Sequence, residues 1–277
     1  MADCAECGKE LRQPARGRRP RYCSRSCQAR AYRARAARRE GTAPPVPRRP
    51  DPDAEPELSR ERIVRAAIAL GDAEGLLAVS MRRVAVELGA GTMSLYRYVS
   101  GKEELVTLMV DEVFAARVDE LPTEGPWRER VEMCARLHWE ICRRHPWVVQ
   151  TVSVTRPALS RNGMRWTEAV LAALDGRGLS MAEMLSCMVL VNGFVQGVAL
   201  LMLNEIEAHR ASGMTNRQWW DRAEPMFAEV MASGDFPVLA RAEDADFNDG
   251  YESMDEDFEF GLERMLDGLA VFVGGRA

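Results

Sequence analysis

Four cysteines stand near the start of the chain, as Cys4-x2-Cys7-Gly8 and Cys23-x3-Cys27. A structural zinc ion takes four thiolate or imidazole ligands in a tetrahedron, and a Cys-x2-Cys turn closed by glycine presents two of them. The i, i+4 spacing of the second pair puts both sulfurs on one face of a helix beginning near Ser24. The expected chemistry is therefore a structural Zn site with ligands Cys4, Cys7, Cys23 and Cys27, and the bland alternative is a tail of reducible thiols. The other three of the seven cysteines, Cys134, Cys142 and Cys187, are scattered through apparent helices. An odd total and the absence of an apolar leader at the N-terminus argue for a reducing, cytoplasmic setting over a disulfide framework.

A second group of side chains lies in Ser80–Lys102, SMRRVAVELGAGTMSLYRYVSGK. Met81, Val84, Ala85 and Leu88 share one helical face. Ser80 can cap that helix, and Gly89 supplies the left-handed residue that ends it. Thr92 then restarts a helix reaching toward Ser100, with Leu95 and Val99 as its inward anchors. The remaining side chains of this second helix are hydroxyls, flat rings and a guanidinium, which suit base edges and phosphates. Two short helices joined by a tight turn form a helix-turn-helix, whose second member enters a major groove. Spacing alone also allows an ordinary helix pair in an all-α core.

The elements that must hold these groups follow from periodicity. Ser59 caps a helix with Ile63, Ala66, Ala67 and Leu70 on one stripe, and Glu61 and Arg65 stand as an i, i+4 pair. After Gly101 a long helix carries Leu105, Leu108, Met109, Val113 and Ala116, until Pro122 stops it. Pro126 opens another helix that closes at His145-Pro146. Further helices are expected over Pro157–Gly176, Ser180–Ala211, Asn216–Met231 and Ser253–Val273. Residues 243–257, with eight acids and no Lys or Arg, read as a solvated loop. No alternating β pattern competes, so the fold class is all-α. No run of about 18 apolar residues stands out, so no membrane span is expected.

Charge divides the chain. Residues 1–50 carry 14 Lys/Arg against 4 Asp/Glu, whereas the whole chain is at net −5. The basic end includes Arg25, Arg30, Arg33, Arg35, Arg38 and Arg39 around Tyr32, a strip that could lie along phosphates or remain a solvated helix. A proline-rich stretch, residues 41–57, reads as an extended spacer. Four segments result: 1–40 a finger-like unit, 41–57 a linker, 58–120 the helix-turn-helix head, and 121–277 a helical body. There is no phosphate loop, nucleophile elbow or HExxH helix, so the chain does not read as an enzyme.

The run SMRRVAVELGAGTMSLYRYVSGKEELVTLMVDEV resembles the DNA-binding domain of the TetR family of transcriptional repressors. The Leu-Tyr-x-x-Val run, then Lys102 and a new helix, is its specific part. The likeness spans about Leu58 to Val118, and beyond it the chain is similar to the ligand-binding domain of the tetracycline-repressor branch. Residues before 50 lie outside the family pattern. The resemblance implies base or phosphate contacts by Arg82, Thr92, Met93, Ser94, Tyr96, Arg97, Tyr98 and Lys102. It also implies an effector pocket in the body, for which His138, Trp139, His145, Trp147, Trp166, Asn192 and Gln196 are candidates, each of them readable equally as core.

The expectation is a homodimeric repressor released from a palindromic double-stranded operator by a small-molecule effector. The dimer would pair the Ser180–Ala211 and Ser253–Val273 helices as a four-helix bundle, as the family does. Two other readings stay open. One is a metal- or redox-responsive regulator sensing through the N-terminal cysteines. The other is an RNA or protein interaction module using the Arg-rich helix.

Overall fold

The computed structural model describes residues 3–11, 21–40, 58–151, 160–241 and 254–275, and these divide into two units, Met1–Glu57 and Leu58–Ala277. Within them the secondary structure is helical apart from an isolated antiparallel bridge between Asp3 and Glu10. The helices are α1 Arg25–Glu40, α2 Arg60–Glu74, α3 Met81–Glu87, α4 Thr92–Leu95, α5 Lys102–Ala115, α6 Trp127–Arg144, α7 Arg161–Leu174, α8 Met181–Ser212, α9 Asn216–Ala232 and α10 Met254–Gly274. The linker 41–57 lies outside the described residues.

In the first unit, Cys4, Leu11 and Cys27 are buried and Tyr22 packs against them. The second unit begins with the head. Ser59 Oγ accepts from Arg62 N and so caps α2, which buries Ile63, Val64, Ala67 and Leu70. Glu61 does not close an ion pair with Arg65. Its carboxyl turns back on the cap and is held below the usual carboxylate range by its own backbone N–H and the Ser59 hydroxyl. Helix α2 packs on α3 and α5, which bury Met81, Val84 and Ala85, and Leu105, Met109, Val110, Val113 and Phe114. Helix α5 ends at Ala115, short of the expected stop, so Ala116 is exposed and Val110 and Phe114 fill the inner face instead.

The body is built on α6, which packs against α7, α8 and α10. Helix α7 starts at Arg161 under a Ser160 cap; the expected start at Pro157 lies outside the described residues. The first turn of α10 takes up Asp255, Glu256 and Asp257, where carboxylates complement the positive end of the helix dipole, and the expected acidic loop before it lies outside the described residues. Asp255 also tethers α10 to α6, accepting from Trp139 Nε1 at 2.8 Å and pairing with Arg143 at 2.8 Å. Arg136–Glu259 and Arg128–Asp267 continue the same seam.

Helix α8 departs from the expectation that no segment could span a bilayer. It is long and apolar enough by length and composition, with a mean hydropathy of 1.9 over its most apolar window. Its inner stripe, Met184, Cys187, Val191, Val195, Ala199 and Met202, is buried. Its outer stripe, including Leu185, Val189, Leu190, Leu200 and Leu201, is exposed. Helix α9 carries no buried residue.

Candidate functional site

Ser80 Oγ accepts from Arg83 N at 3.2 Å and fixes the start of α3. Its end is a Schellman closure: Ala90 N donates to Ala85 O at 2.9 Å and Gly89 N to Val86 O at 3.1 Å. That turn needs a positive φ, and Gly89 adopts +62°. Only Thr92–Leu95 is regular α-helix, shorter than expected. The reason is local. Gly91 offers no side-chain cap, and the chain tightens to i+3 bonds from Arg97 to Ser94 O and Tyr98 to Leu95 O.

Leu95 and Val99 are sealed in the core at 0% and 1% exposure, so the rest of the segment is turned outward by necessity. Met93, Tyr96 and Arg97 are exposed, Thr92 and Ser94 half-buried, and Arg82 and Lys102 exposed at the starts of α3 and α5. Tyr98 is half-buried against the core, with the Arg97 guanidinium 6.0 Å above its ring. Around this surface the ion pairs among the described residues are Arg60–Glu104 and Arg83–Glu74, so Arg82, Arg97 and Lys102 have no acid at hand.

The following joint is locked. Ser100 donates from both N and Oγ to Glu104 Oε2 at 2.6 Å, and Arg60 Nε donates to Tyr98 O at 3.2 Å. The Ser100 hydrogen bonds, then Arg60, hold the Glu104 carboxyl below its ordinary range. Three unpaired cations, two hydroxyls, two phenols and a thioether form a surface that can meet a polyanion and read base edges.

The body residues proposed from sequence separate into three places. His138 is fully buried and lies 5.6 Å from the Phe114 ring and 6.3 Å from Trp166. Burial pushes its pKa down to about 4, with the Asn192 amide opposing. That amide stands beside the ring but points its nitrogen at Met188 Sδ, 3.0 Å away, so neither ring nitrogen of His138 has a hydrogen bond of good geometry. One turn further along α8, Gln196 Nε2 is also buried and unpartnered. Buried polar groups are almost always paired, so His138 and Gln196 stand out among the buried polar side chains of the body.

Trp139 lies elsewhere, stacked on Phe258 at 4.9 Å. His145 and Trp147 also lie elsewhere. Both meet Asp72 Oδ1, from His145 Nδ1 at 2.8 Å and Trp147 Nε1 at 2.7 Å. Arg210 of α8 donates to the Asp72 and Ala73 carbonyls, at 3.2 and 3.0 Å. A Cβ on Gly71 would stand 3.0 Å from the Trp147 indole, so glycine lets the ring approach α2. The end of α2 in the head is thus clasped by two elements of the body. Asp72 and Phe114 were not singled out from sequence. A signal for Asp72 existed: an acid at a helix C-terminus opposes the dipole and calls for a partner.

In the first unit the four cysteine sulfurs lie within 4.8 Å of one another. The backbone N–H of Glu6 heads the groups that pull the Cys4 thiol down to about 6, whereas thiol neighbours, Cys7 first, push Cys23 up to about 12.

The buried histidine gives a first testable consequence. Its pKa is depressed from 6.5 to about 4, so between those values the unfolded chain binds a proton that the folded chain refuses. Stability is then lost as pH falls through this window, by about 3 kcal/mol, and levels off below it. Urea unfolding of wild type and His138→Phe, near neutral pH and near pH 4.5, is expected to show a smaller loss in the variant.

A helix-turn-helix head joined to a helical body defines a DNA-binding transcriptional regulator. Comparison makes this specific. Residues 63–109 match the family described as bacterial regulatory proteins, tetR family, and residues 121–273 match the tetracyclin repressor-like C-terminal domain. The chain belongs to the TetR family. It is 43% identical over 232 residues to the HTH-type transcriptional repressor DrrR1 of Streptomyces coeruleorubidus, covering 83% of each chain. It is 31% identical to an HTH-type transcriptional regulator of Saccharopolyspora erythraea, over 79% of this chain and 87% of that one. Among solved structures, ActR of Streptomyces coelicolor in complex with actinorhodin aligns with a TM-score of 0.58 at 29% identity, over 79% of this chain and 99% of that one. These relatives are regulators, which places the chain outside enzyme classes.

Proposed function

We propose that the chain is a homodimeric repressor that binds a near-palindromic operator in the cytoplasm and leaves it when a small molecule occupies the body. The observation that carries the effector half is that His138 on α6 and Gln196 on α8, two helices packed on each other, each carry buried nitrogens without a hydrogen-bond partner. A relative named as a repressor and a related structure holding actinorhodin support the same reading. The chemistry here selects an aromatic, uncharged ligand. Phe114 and Trp166, whose rings stand edge to face at 5.1 Å, offer π surfaces. Neutral His138 offers one donor and one acceptor, and Gln196 offers a donor.

On DNA, Arg97 is assigned to base edges, Thr92, Met93 and Ser94 to the groove floor, and Arg82, Tyr96, Tyr98 and Lys102 to phosphates or adjoining bases. The exposed outer faces of α8 and α10 support the dimer. They bound an apolar groove of about 760 Å³ lined by Leu190, Phe194, Met265, Leu269 and Phe272. A second copy covering it would remove the apolar surface from water, which supports reading the exposed stripe of α8 as a subunit seam.

Light scattering tests the seam. Wild type is expected at twice the 31.0 kDa chain mass, and Leu190→Glu with Phe272→Glu at one chain, with operator binding lost because half-sites are no longer bridged. A wild-type monomer, or a variant still dimeric, overturns the assignment.

A further inference from the structure

The first unit has too little apolar core to hold itself together. Its buried residues among those described are Cys4, Leu11 and Cys27, backed by Tyr22. Units of this size depend on a covalent or metal cross-link. The cysteines are free thiols, and their spacing is wrong for disulfides: Cys7 Sγ lies 3.4 Å from Cys23 Sγ, and Cys23 Sγ 3.6 Å from Cys27 Sγ, against about 2.05 Å for a bond. A zinc ion at about 2.3 Å from four sulfurs sets them about 3.8 Å apart, the edge of the tetrahedron. All four sulfurs fall within 4.8 Å of one another, so they form a cluster of the right size before any metal is considered.

The backbone prepares the same arrangement. Cys4 N donates to Lys9 O at 2.9 Å and Gly8 N to Cys4 O at 2.9 Å, with Gly8 at φ +71°, which turns Cys4 and Cys7 toward one point. Ala5 N donates to Arg21 O at 3.2 Å and Cys23 N to Cys4 Sγ at 3.3 Å, which ties the second pair to the first. Ser24 Oγ accepts from Cys27 N at 3.3 Å, which fixes Cys27 in the first turn of α1. Neither the helix-turn-helix head nor the effector set uses these residues.

We propose that Cys4, Cys7, Cys23 and Cys27 bind one structural zinc ion as a closed four-thiolate site, and that this ion folds the N-terminal unit and orders the start of α1. Four sulfurs leave no open position, so the site binds the metal without using it for chemistry. With the metal in place, the exposed Arg21, Arg25 and Arg30 are carried on a fixed scaffold. The described part does not extend to the side chains of Arg33, Arg35, Arg38 and Arg39.

The test uses the full chain, purified in reductant without chelator. Metal analysis is expected to give one zinc per chain, falling below a tenth in Cys7→Ser/Cys23→Ser. Cobalt added to reduced, metal-free protein is expected to give the ligand-field bands of a tetrahedral thiolate complex in wild type and none in the variant. Because the head and body form a separate unit, their thermal unfolding and their binding to operator DNA are measured alongside as controls for folding. Wild-type protein with neither zinc nor a cobalt spectrum, iron in place of zinc, or zinc equally retained by the double variant overturns the proposal. None of these outcomes bears on whether the helix-turn-helix reads DNA.

Discussion

Arg97→Ala weakens binding to the operator by about 10- to 100-fold, with a smaller change on unrelated DNA. The size follows from losing a forked contact to a guanine edge, about 1–3 kcal/mol. Its geometry supports a specific effect. Arg97 is exposed on the segment anchored by Leu95 and Val99 and has no acidic partner among the described residues. Arg83 is the internal control. It lies on the neighbouring helix but is engaged by Glu74 at 2.6 Å, so Arg83→Ala leaves operator affinity nearly unchanged. Lys102→Ala falls between them: affinity drops on all sequences alike, and the salt dependence of binding becomes shallower by about one charge. Fluorescence anisotropy against matched specific and scrambled duplexes separates these three behaviours.

Asp72→Ala breaks communication between effector and DNA. One carboxylate oxygen receives both His145 and Trp147, and the same turn of α2 accepts Arg210 from α8. Removing the carboxylate leaves an indole N–H without an acceptor and costs about 1–3 kcal/mol of stability. Asp72→Asn keeps an oxygen in the same place and restores most of it. Release requires that the ligand favour a non-binding arrangement of the heads, so a link between head and body must carry the difference. With the clasp gone, the alanine variant is expected to bind operator nearly as wild type without effector, and to need about tenfold more effector for release. Unchanged release in a folded Asp72→Ala protein would move the coupling to the α5–α7 contact.

The helix-turn-helix was legible because its signals are local. Ser80, Gly89 and the Leu95–Val99 pair each act within a few residues, and the structure uses all of them as read. Boundaries were less legible where a side chain was missing: α4 begins on Gly91 without a cap, so it is one turn long. Helix α8 concealed its character for a different reason. It is apolar on both sides, because one stripe meets the core and the other is left outward, and such a helix shows no single face.

The effector set was only partly readable. His138 and Asn192 come together because α6 crosses α8, and aromatic spacing along α6 could not separate His138, facing Phe114, from Trp139, facing Phe258. The Asp72 clasp joins residues 73 and 75 positions apart, beyond the reach of any periodicity.

Recognition of one DNA sequence, and its release on binding a small aromatic molecule, can be measured in a single experiment. The most direct measurement is equilibrium binding of the full chain to DNA flanking its own gene, with excess non-specific competitor and rising salt, beside Arg97→Ala. The expected result is a complex that survives competitor, is lost in the variant, and dissociates when an aromatic effector is titrated. Equal, weak binding by both proteins that collapses with salt would contradict it, because only the basic N-terminal segment would then be holding the DNA.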